Sequence, residues 1–158
     1  MIMKKLIIIL LTLSISGLSF VYGQMAVGYN TDGNTLLLST SPLKTLWGEF
    51  RINTKAYNQA SWTYSDRGIT QLYLSARVFN AQNVIFYAGG GLGANLLSED
   101  KDKWLSINIP AGIRIQPFTK YPGLLITGEY NPMFVVEEDV PIIHSVSAGL
   151  RILLIKGE

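Results

Sequence analysis

Residues 104 to 117, Trp-Leu-Ser-Ile-Asn-Ile-Pro-Ala-Gly-Ile-Arg-Ile-Gln-Pro, constrain the fold more than any other stretch of the chain. Leu105, Ile107, Ile109, Ala111, Ile113 and Ile115 fall on one side, and Ser106, Asn108, Pro110, Gly112, Arg114 and Gln116 on the other. A period of two describes an extended strand whose successive side chains point to opposite faces. The run is about twice the length of an ordinary globular strand. A strand this long, with an unbroken apolar side, suits a wall that meets hydrocarbon outside and polar groups inside.

The same alternation predicts eight strands, at 24–30, 35–41, 46–56, 69–79, 84–97, 104–117, 124–136 and 143–155. Their connections come in two kinds. Residues 31–34, 57–68, 98–103 and 137–141 are polar and mostly charged, whereas 42–45, 80–83 and 119–123 are short. Gly, Pro, Asn and Asp supply the turn chemistry in both sets. Both ends of the strand array then fall on the short-turn side. This is the plan of an all-β, eight-stranded antiparallel up-and-down transmembrane β-barrel, which an even strand count closes.

The N-terminus reads as an export signal: Lys4 and Lys5, an apolar run from Leu6 to Leu13, and Val21 and Gly23 before a cleavage point at Gln24. The apolar run is well short of the ~18 residues of a membrane helix. The expected organisation is a signal peptide over 1–23 and one barrel domain over 24–158. Of 13 Lys and Arg, two belong to the signal, so 11 basic residues face 11 acidic ones in the remainder. A near-neutral chain without a basic stripe is not expected to bind nucleic acid. The chain has no cysteine, which excludes disulfides, thiol catalysis and Cys-based metal sites.

Residue size indicates which face is inside. On strand 84–97, Gly89, Gly91, Gly93 and Asn95 oppose Val84, Phe86, Ala88, Leu92 and Leu96. Small residues suit a lumen crowded by other side chains, and would only weaken a solvent-facing strand. Trp47, Glu49, Arg51, Asn53 and Lys55 share one face, as do Gln71, Tyr73, Ser75 and Arg77. Thr127, Glu129 and Asn131 form another polar face, with Leu125 an apolar exception, and Ser145, Ser147, Gly149 and Arg151 a fourth. The expected lumen charge network is therefore Glu49, Arg51, Lys55, Arg77, Arg114, Glu129 and Arg151. Counting outward from loop centres near 63 and 140 sets Glu49 opposite Arg77 and Glu129 opposite Arg151, with Arg114 close to Glu129.

Opposite charges inside a narrow lumen offset each other's desolvation. Five basic and two acidic residues leave an excess of positive charge for water or anions. An interior of this size is filled by side chains, so no conducting pore is expected. The alternative is a soluble, lipocalin-like barrel with the apolar side turned inward around a ligand and the charges outside. Pro110 and Pro132 each remove a ladder hydrogen bond, which a bulge or an extension of the barrel above the membrane would accommodate.

Three segments, Tyr87-Ala-Gly-Gly-Gly-Leu-Gly-Ala-Asn-Leu96, Ile107-Asn-Ile-Pro-Ala-Gly-Ile-Arg114 and Ser145-Val-Ser-Ala-Gly-Leu-Arg-Ile-Leu-Leu154, carry a resemblance. On them the chain resembles the small outer-membrane β-barrel proteins of the OmpA/OmpX-like type, particularly those of Bacteroidetes-like bacteria. The resemblance implies a place in the outer membrane, among its lipids and lipopolysaccharide, and handling by the barrel-insertion machinery. It implies no single activity. Members commonly end on an aromatic residue read by that machinery, whereas this chain ends Leu154-Ile-Lys-Gly-Glu158.

Chemistry-bearing motifs are few. His144, the only histidine, neighbours Ser145 and Ser147, but both serines have the opposite parity in a strand. No triad geometry follows, and no catalytic residue is expected. One histidine without clustered partners is no metal site, and the Gly89–Gly93 run lacks the Lys-Ser/Thr of a phosphate loop. No cofactor is expected. Trp62 and Tyr64 in the 57–68 loop suit surface-contact anchors or membrane-boundary aromatics equally. The acidic 98–103 and 137–139 segments read as solvated tips. The expected function is that of an outer-membrane barrel with a filled lumen and a structural or surface-interaction role. A lipid-modifying barrel enzyme and a soluble ligand-binding barrel stand as alternatives.

Overall fold

The computed structural model describes residues 25–53, 56–58, 63–65, 69–94, 96, 105–136 and 142–154. The signal region 1–23, Lys55 and Trp62 lie outside them, as do the acidic tips at 98–103 and 137–139. The barrel strands are β1 (Met25–Asn30), β2 (Thr35–Thr40), β3 (Leu46–Asn53), β6 (Ile69–Ala81) and β7 (Val84–Ala94). The wall continues through β8 (Leu105–Asn108), β9 (Ala111–Ile115), β10 (Leu124–Val135) and β11 (Ile143–Leu154). Two short strands, β4 (Ala56–Asn58) and β5 (Thr63–Ser65), form a separate hairpin that begins at the last residue of the expected strand 46–56 and runs into the expected loop 57–68.

Every barrel strand is antiparallel to both neighbours, and β11 pairs with β1 to close the ring. β8 and β9 are two halves of one strand between β7 and β10, so the wall has eight strands. The stagger follows from the register. Stepping across the ladder from Leu153 leads through Ala26, Ser39, Glu49, Tyr73, Gly91, Asn108 and Met133, and returns to β11 at Ile143. The circuit closes ten residues from its start (153 − 143). Eight strands with that shear, at about 3.3 Å per residue and 4.8 Å between strands, give a tilt of about 41° and a wall radius of about 8 Å. A cylinder so narrow forces side chains from opposite walls to meet at its axis.

Both prolines are accommodated without a bulge. The β7 and β10 registers are the same on either side of Ile109 and Pro110, so the strand is interrupted but not shifted. Gly89 N–H donates to the Pro110 carbonyl at 2.8 Å, and Ile109 N–H donates to the Pro132 carbonyl at 3.1 Å. Each proline thus forfeits one bond of a two-bond pair and keeps the other. The actual bulge lies between Arg77 and Phe79. Both Val78 and Phe79 are exposed there, and the hairpin turn tightens to Gln82 and Asn83 instead of 80–83. Gln82 takes the left-handed conformation, φ 49°, that so short a turn demands.

Burial is inverted relative to a soluble protein. The buried set is rich in Asn, Ser, Thr, Gln, Glu and Arg, while Leu36, Leu74, Ile107, Val146, Leu150 and Ile152 are among the large apolar side chains left exposed. Strand β11 shows it most plainly, alternating buried and exposed without a break over twelve residues. No Asp, Glu, Lys or Arg occupies an outward-facing position on the described barrel strands. The soluble alternative required the reverse polarity.

Candidate functional site

The site is the lumen, built where β3 and β10 face each other across the ring. Trp47, Glu49, Arg51 and Asn53 of β3 are all buried, as are Gln71, Tyr73 and Ser75 of β6. Arg114 of β9, Glu129 of β10 and Arg151 of β11 also point inside and are at most 5% exposed. Arg77 is half-buried near the short turns, where its Nη2 donates to the Leu43 carbonyl.

Glu49 is the hub. Arg51 Nε approaches its Oε1 at 2.5 Å and Arg151 Nη2 the same oxygen at 3.1 Å; Arg114 Nη2 reaches Oε2 at 3.4 Å. Arg51 then spans the diameter. Its Nη1 and Nη2 donate to Glu129 Oε1 and Oε2 at 2.5 and 2.7 Å, a fork on a carboxylate. Tyr87 O–H donates to Glu129 Oε2 at 2.7 Å. Three guanidiniums and two carboxylates leave this cluster one positive charge in excess. Among the described residues, Arg114 Nε and Arg151 Nε and Nη1 have no acceptor within hydrogen-bond distance.

Aromatic faces carry part of that excess. The Arg114 guanidinium lies 4.0 Å from the Trp47 ring centroid and 4.5 Å from that of Tyr87, and Arg51 lies 4.3 Å from Tyr73. Desolvated contacts of this kind attract through the ring quadrupole. The tyrosines fit because of the glycines beside them. Tyr73 pairs with Gly91, and Tyr87 pairs with Gly112. A Cβ on Gly91 would strike the Tyr73 ring, and one on Gly112 would lie 2.8 Å from the Tyr87 ring and hydroxyl. Of the glycines expected to relieve crowding on β7, Gly91 makes room for the Tyr73 ring, while Gly89 makes room for Ser75 and Gly93 for Ser106 and Asn108. A hydrogen-bonded layer sits above the charges, where Asn108 and Asn131 amides donate to Tyr73 Oη at 3.1 and 2.7 Å.

The expected residues are brought together with changed partners. Glu49 stands opposite Tyr73, four residues from Arg77, and Glu129 opposite Ser147, four residues from Arg151. Four is an even number, so the faces stand and the pairs do not. The register centres these two loops at 61 and 138 instead of 63 and 140, which shifts each expected partner along the wall by four residues. Arg114 stands opposite Thr127, two residues from Glu129 as expected, and its guanidinium meets Glu49. Lys55 lies outside the described residues. Trp47 and Tyr73 lie on the faces expected to be inward but fall outside the expected charge network, and Tyr87 is a member that charge-based reasoning misses. Their signal was an aromatic on a polar face beside a glycine-rich neighbouring strand.

The remaining residues of interest lie apart. Tyr64 pairs with Tyr57 through the β4–β5 backbone, and Trp62 is not described. His144 faces outward while Ser145 and Ser147 face inward. Ser145 Oγ donates to Asp32 at the loop end of the lumen. Among the described residues, no three His, Cys, Asp or Glu side chains gather.

No family model and no curated protein matches the sequence. Among solved structures, the chain is similar to the N-terminal β-barrel domain of Pseudomonas aeruginosa OprF, with a TM-score of 0.53 and 13% identity over 82% of this chain and 93% of that one. It also aligns with the Yersinia pestis outer membrane protein Ail, determined in a phospholipid bilayer nanodisc. That TM-score is 0.47, with 16% identity over 84% of this chain and 99% of that one. The likeness to the OprF domain is one of fold: this chain is a closed, eight-stranded antiparallel β-barrel.

Proposed function

We propose that the chain is an integral outer-membrane barrel, exported by its 1–23 segment, with a lumen filled by side chains. Its role is structural or one of surface interaction, alone or as an accessory of a larger envelope assembly. One observation carries the reading: the outward face of the described barrel strands is largely apolar and holds no Asp, Glu, Lys or Arg, while the ion pairs are inside. Strand β11 presents Val146, Ala148, Leu150, Ile152 and Leu154 outward. At the tilt derived above, each residue adds about 2.5 Å of height, so the ten-residue step from Leu154 to His144 covers about 25 Å, the apolar band of an outer-membrane barrel. The fold likeness to the OprF barrel domain supports the same reading.

Lipids and lipopolysaccharide are then the standing partners of the outer face, and the barrel-insertion machinery a transient one. Expressed with its signal in a bacterium that has an outer membrane, the protein should resist carbonate extraction and migrate faster on gels unheated than boiled. Recovery as a soluble periplasmic monomer would refute the proposal.

A further inference from the structure

The three lumen arginines are unequally served. Arg51 donates through all three of its nitrogens, one to Glu49 and two to Glu129. Arg114 donates through Nη1 to the Pro42 carbonyl at 3.1 Å and through Nη2 to Glu49, and Arg151 through Nη2 to Glu49 alone. Among the described residues, Arg114 Nε, Arg151 Nε and Nη1, and Trp47 Nε1 have no acceptor. The Arg114 and Arg151 side chains are 0% exposed, and Trp47 is 1% exposed.

These donors belong to one layer. Arg114 and Arg151 flank β10, opposite Thr127 and Leu125, and their Nη2 atoms take the two oxygens of the same Glu49 carboxylate. Two like charges are thereby held side by side. The Arg114 guanidinium lies 4.0 Å from the Trp47 ring centroid, which brings Trp47 beside them. The stagger lifts each ladder step by about 3 Å, so the three residues stand within about 2 Å of one height, about 5 Å nearer the short turns than Glu49. Leu125, Leu153 and Pro42, all buried, lie on the short-turn side of them. An arginine cannot lose its proton to relieve a surplus of charge, and a buried cation without an anion is strongly disfavoured.

We infer that Arg114, Arg151 and Trp47 form a buried site for one small monovalent anion of the chloride class. The ion accepts from the free N–H groups of the two arginines, with Trp47 Nε1–H at its edge, and cancels the single excess positive charge of the cluster. A water would accept some of these bonds, but it brings two protons that need acceptors of their own and leaves the charge standing. A halide accepts from several donors and brings none. Donors and ion are charge-assisted partners, the stronger class of hydrogen bond.

Linkage to folding gives the test. The full chain is unfolded by urea in detergent micelles at constant ionic strength, while chloride replaces gluconate, an anion too large for the layer. A ligand that binds only the folded state raises stability by RT ln(1 + [L]/Kd), so the folded-to-unfolded ratio should rise at least threefold between about 3 and 300 mM chloride. No rise would overturn the site. Arg151→Met, which removes the excess charge and two of the free donors, should abolish the dependence; an equal rise in that variant would reduce the effect to general salt action and overturn the site as well. A second readout needs no change within the layer. In the chain carrying Trp62→Phe and Trp104→Phe, Trp47 is the one tryptophan left. Its emission in the folded protein should fall at least twofold when bromide replaces chloride, because a heavy halide quenches a ring that it touches. Unchanged emission would remove the ion from this layer and overturn the assignment.

Discussion

Replacing Glu49 with Gln removes the charge on which three arginines converge and changes the side-chain volume hardly at all. In the wild type, Arg51, Arg114 and Arg151 face Glu49 and Glu129, an excess of one positive charge. In Glu49→Gln the excess is two, in a lumen where the three guanidiniums are at most 4% exposed. Breaking a buried pair by removing one partner costs about 3–5 kcal/mol, because the other charge stays behind. Glu49 serves three partners and Glu129 one arginine, so Glu49→Gln should fall at the upper end, about 5 kcal/mol, and Glu129→Gln at the lower, about 3 kcal/mol. Reversible urea unfolding in detergent micelles, with wild type and variants fitted to a common slope, reads the difference. The second arm is compensation: adding Arg151→Met to Glu49→Gln returns the excess to one and should restore a good part of the loss, a coupling between contacting residues that a double-mutant cycle isolates. A Glu49→Gln cost under about 1 kcal/mol, the scale of an exposed pair, would show that the cluster is hydrated and refute the reasoning.

Three further outcomes follow from the geometry. Gly91→Ala drives a Cβ into the Tyr73 ring and should cost about 1–3 kcal/mol or more by overpacking, whereas Gly90→Ala, with nothing within 4 Å, should be near neutral in the same assay. Leu150→Arg, midway up the outer face of β11, should destabilise the bilayer-inserted protein by about 2–4 kcal/mol, and Thr70→Arg, near the loop end of β6, by about 0–1; equal costs would contradict the membrane band. Mass spectrometry of lipid A from cells expressing wild type and His144→Ala should show the same acylation pattern, since Ser145 and Ser147 face away from His144; an acyl change present only with wild type would install the enzyme reading.

Period-two alternation made the faces legible because parity survives any even error in register. Glu49, Arg51, Arg114, Glu129 and Arg151 were placed inside from parity alone, and the lumen holds all five. Their partners were not legible, because those depend on the stagger of the whole ring. That stagger is set by loop lengths, and the loop around 63 contains a hairpin invisible to hydropathy. The bulge left a readable trace: Val78 and Phe79, two large apolar neighbours, break the alternation where it occurs. The prolines disturb the wall less than their positions in the sequence suggest, because each carbonyl still accepts a bond and only one donor per proline is lost.

The bridge from Arg51 to Glu129 joins residues 78 apart in sequence, and the pairing of Met25 with Leu154 joins the two ends of the described barrel. Neither forms until the sheet has curled through a full turn. A partly assembled sheet would keep Arg51 beside Glu49 on β3 but leave Arg114 and Arg151 apart from Glu49, and Glu129 apart from Arg51, in the bilayer proposed above, which would not solvate them. Such half-formed species are penalised twice, by open strand edges and by separated charges. Closure is thereby made an all-or-none event, in which the last strand to arrive completes the circuit of charges and the circuit of hydrogen bonds together.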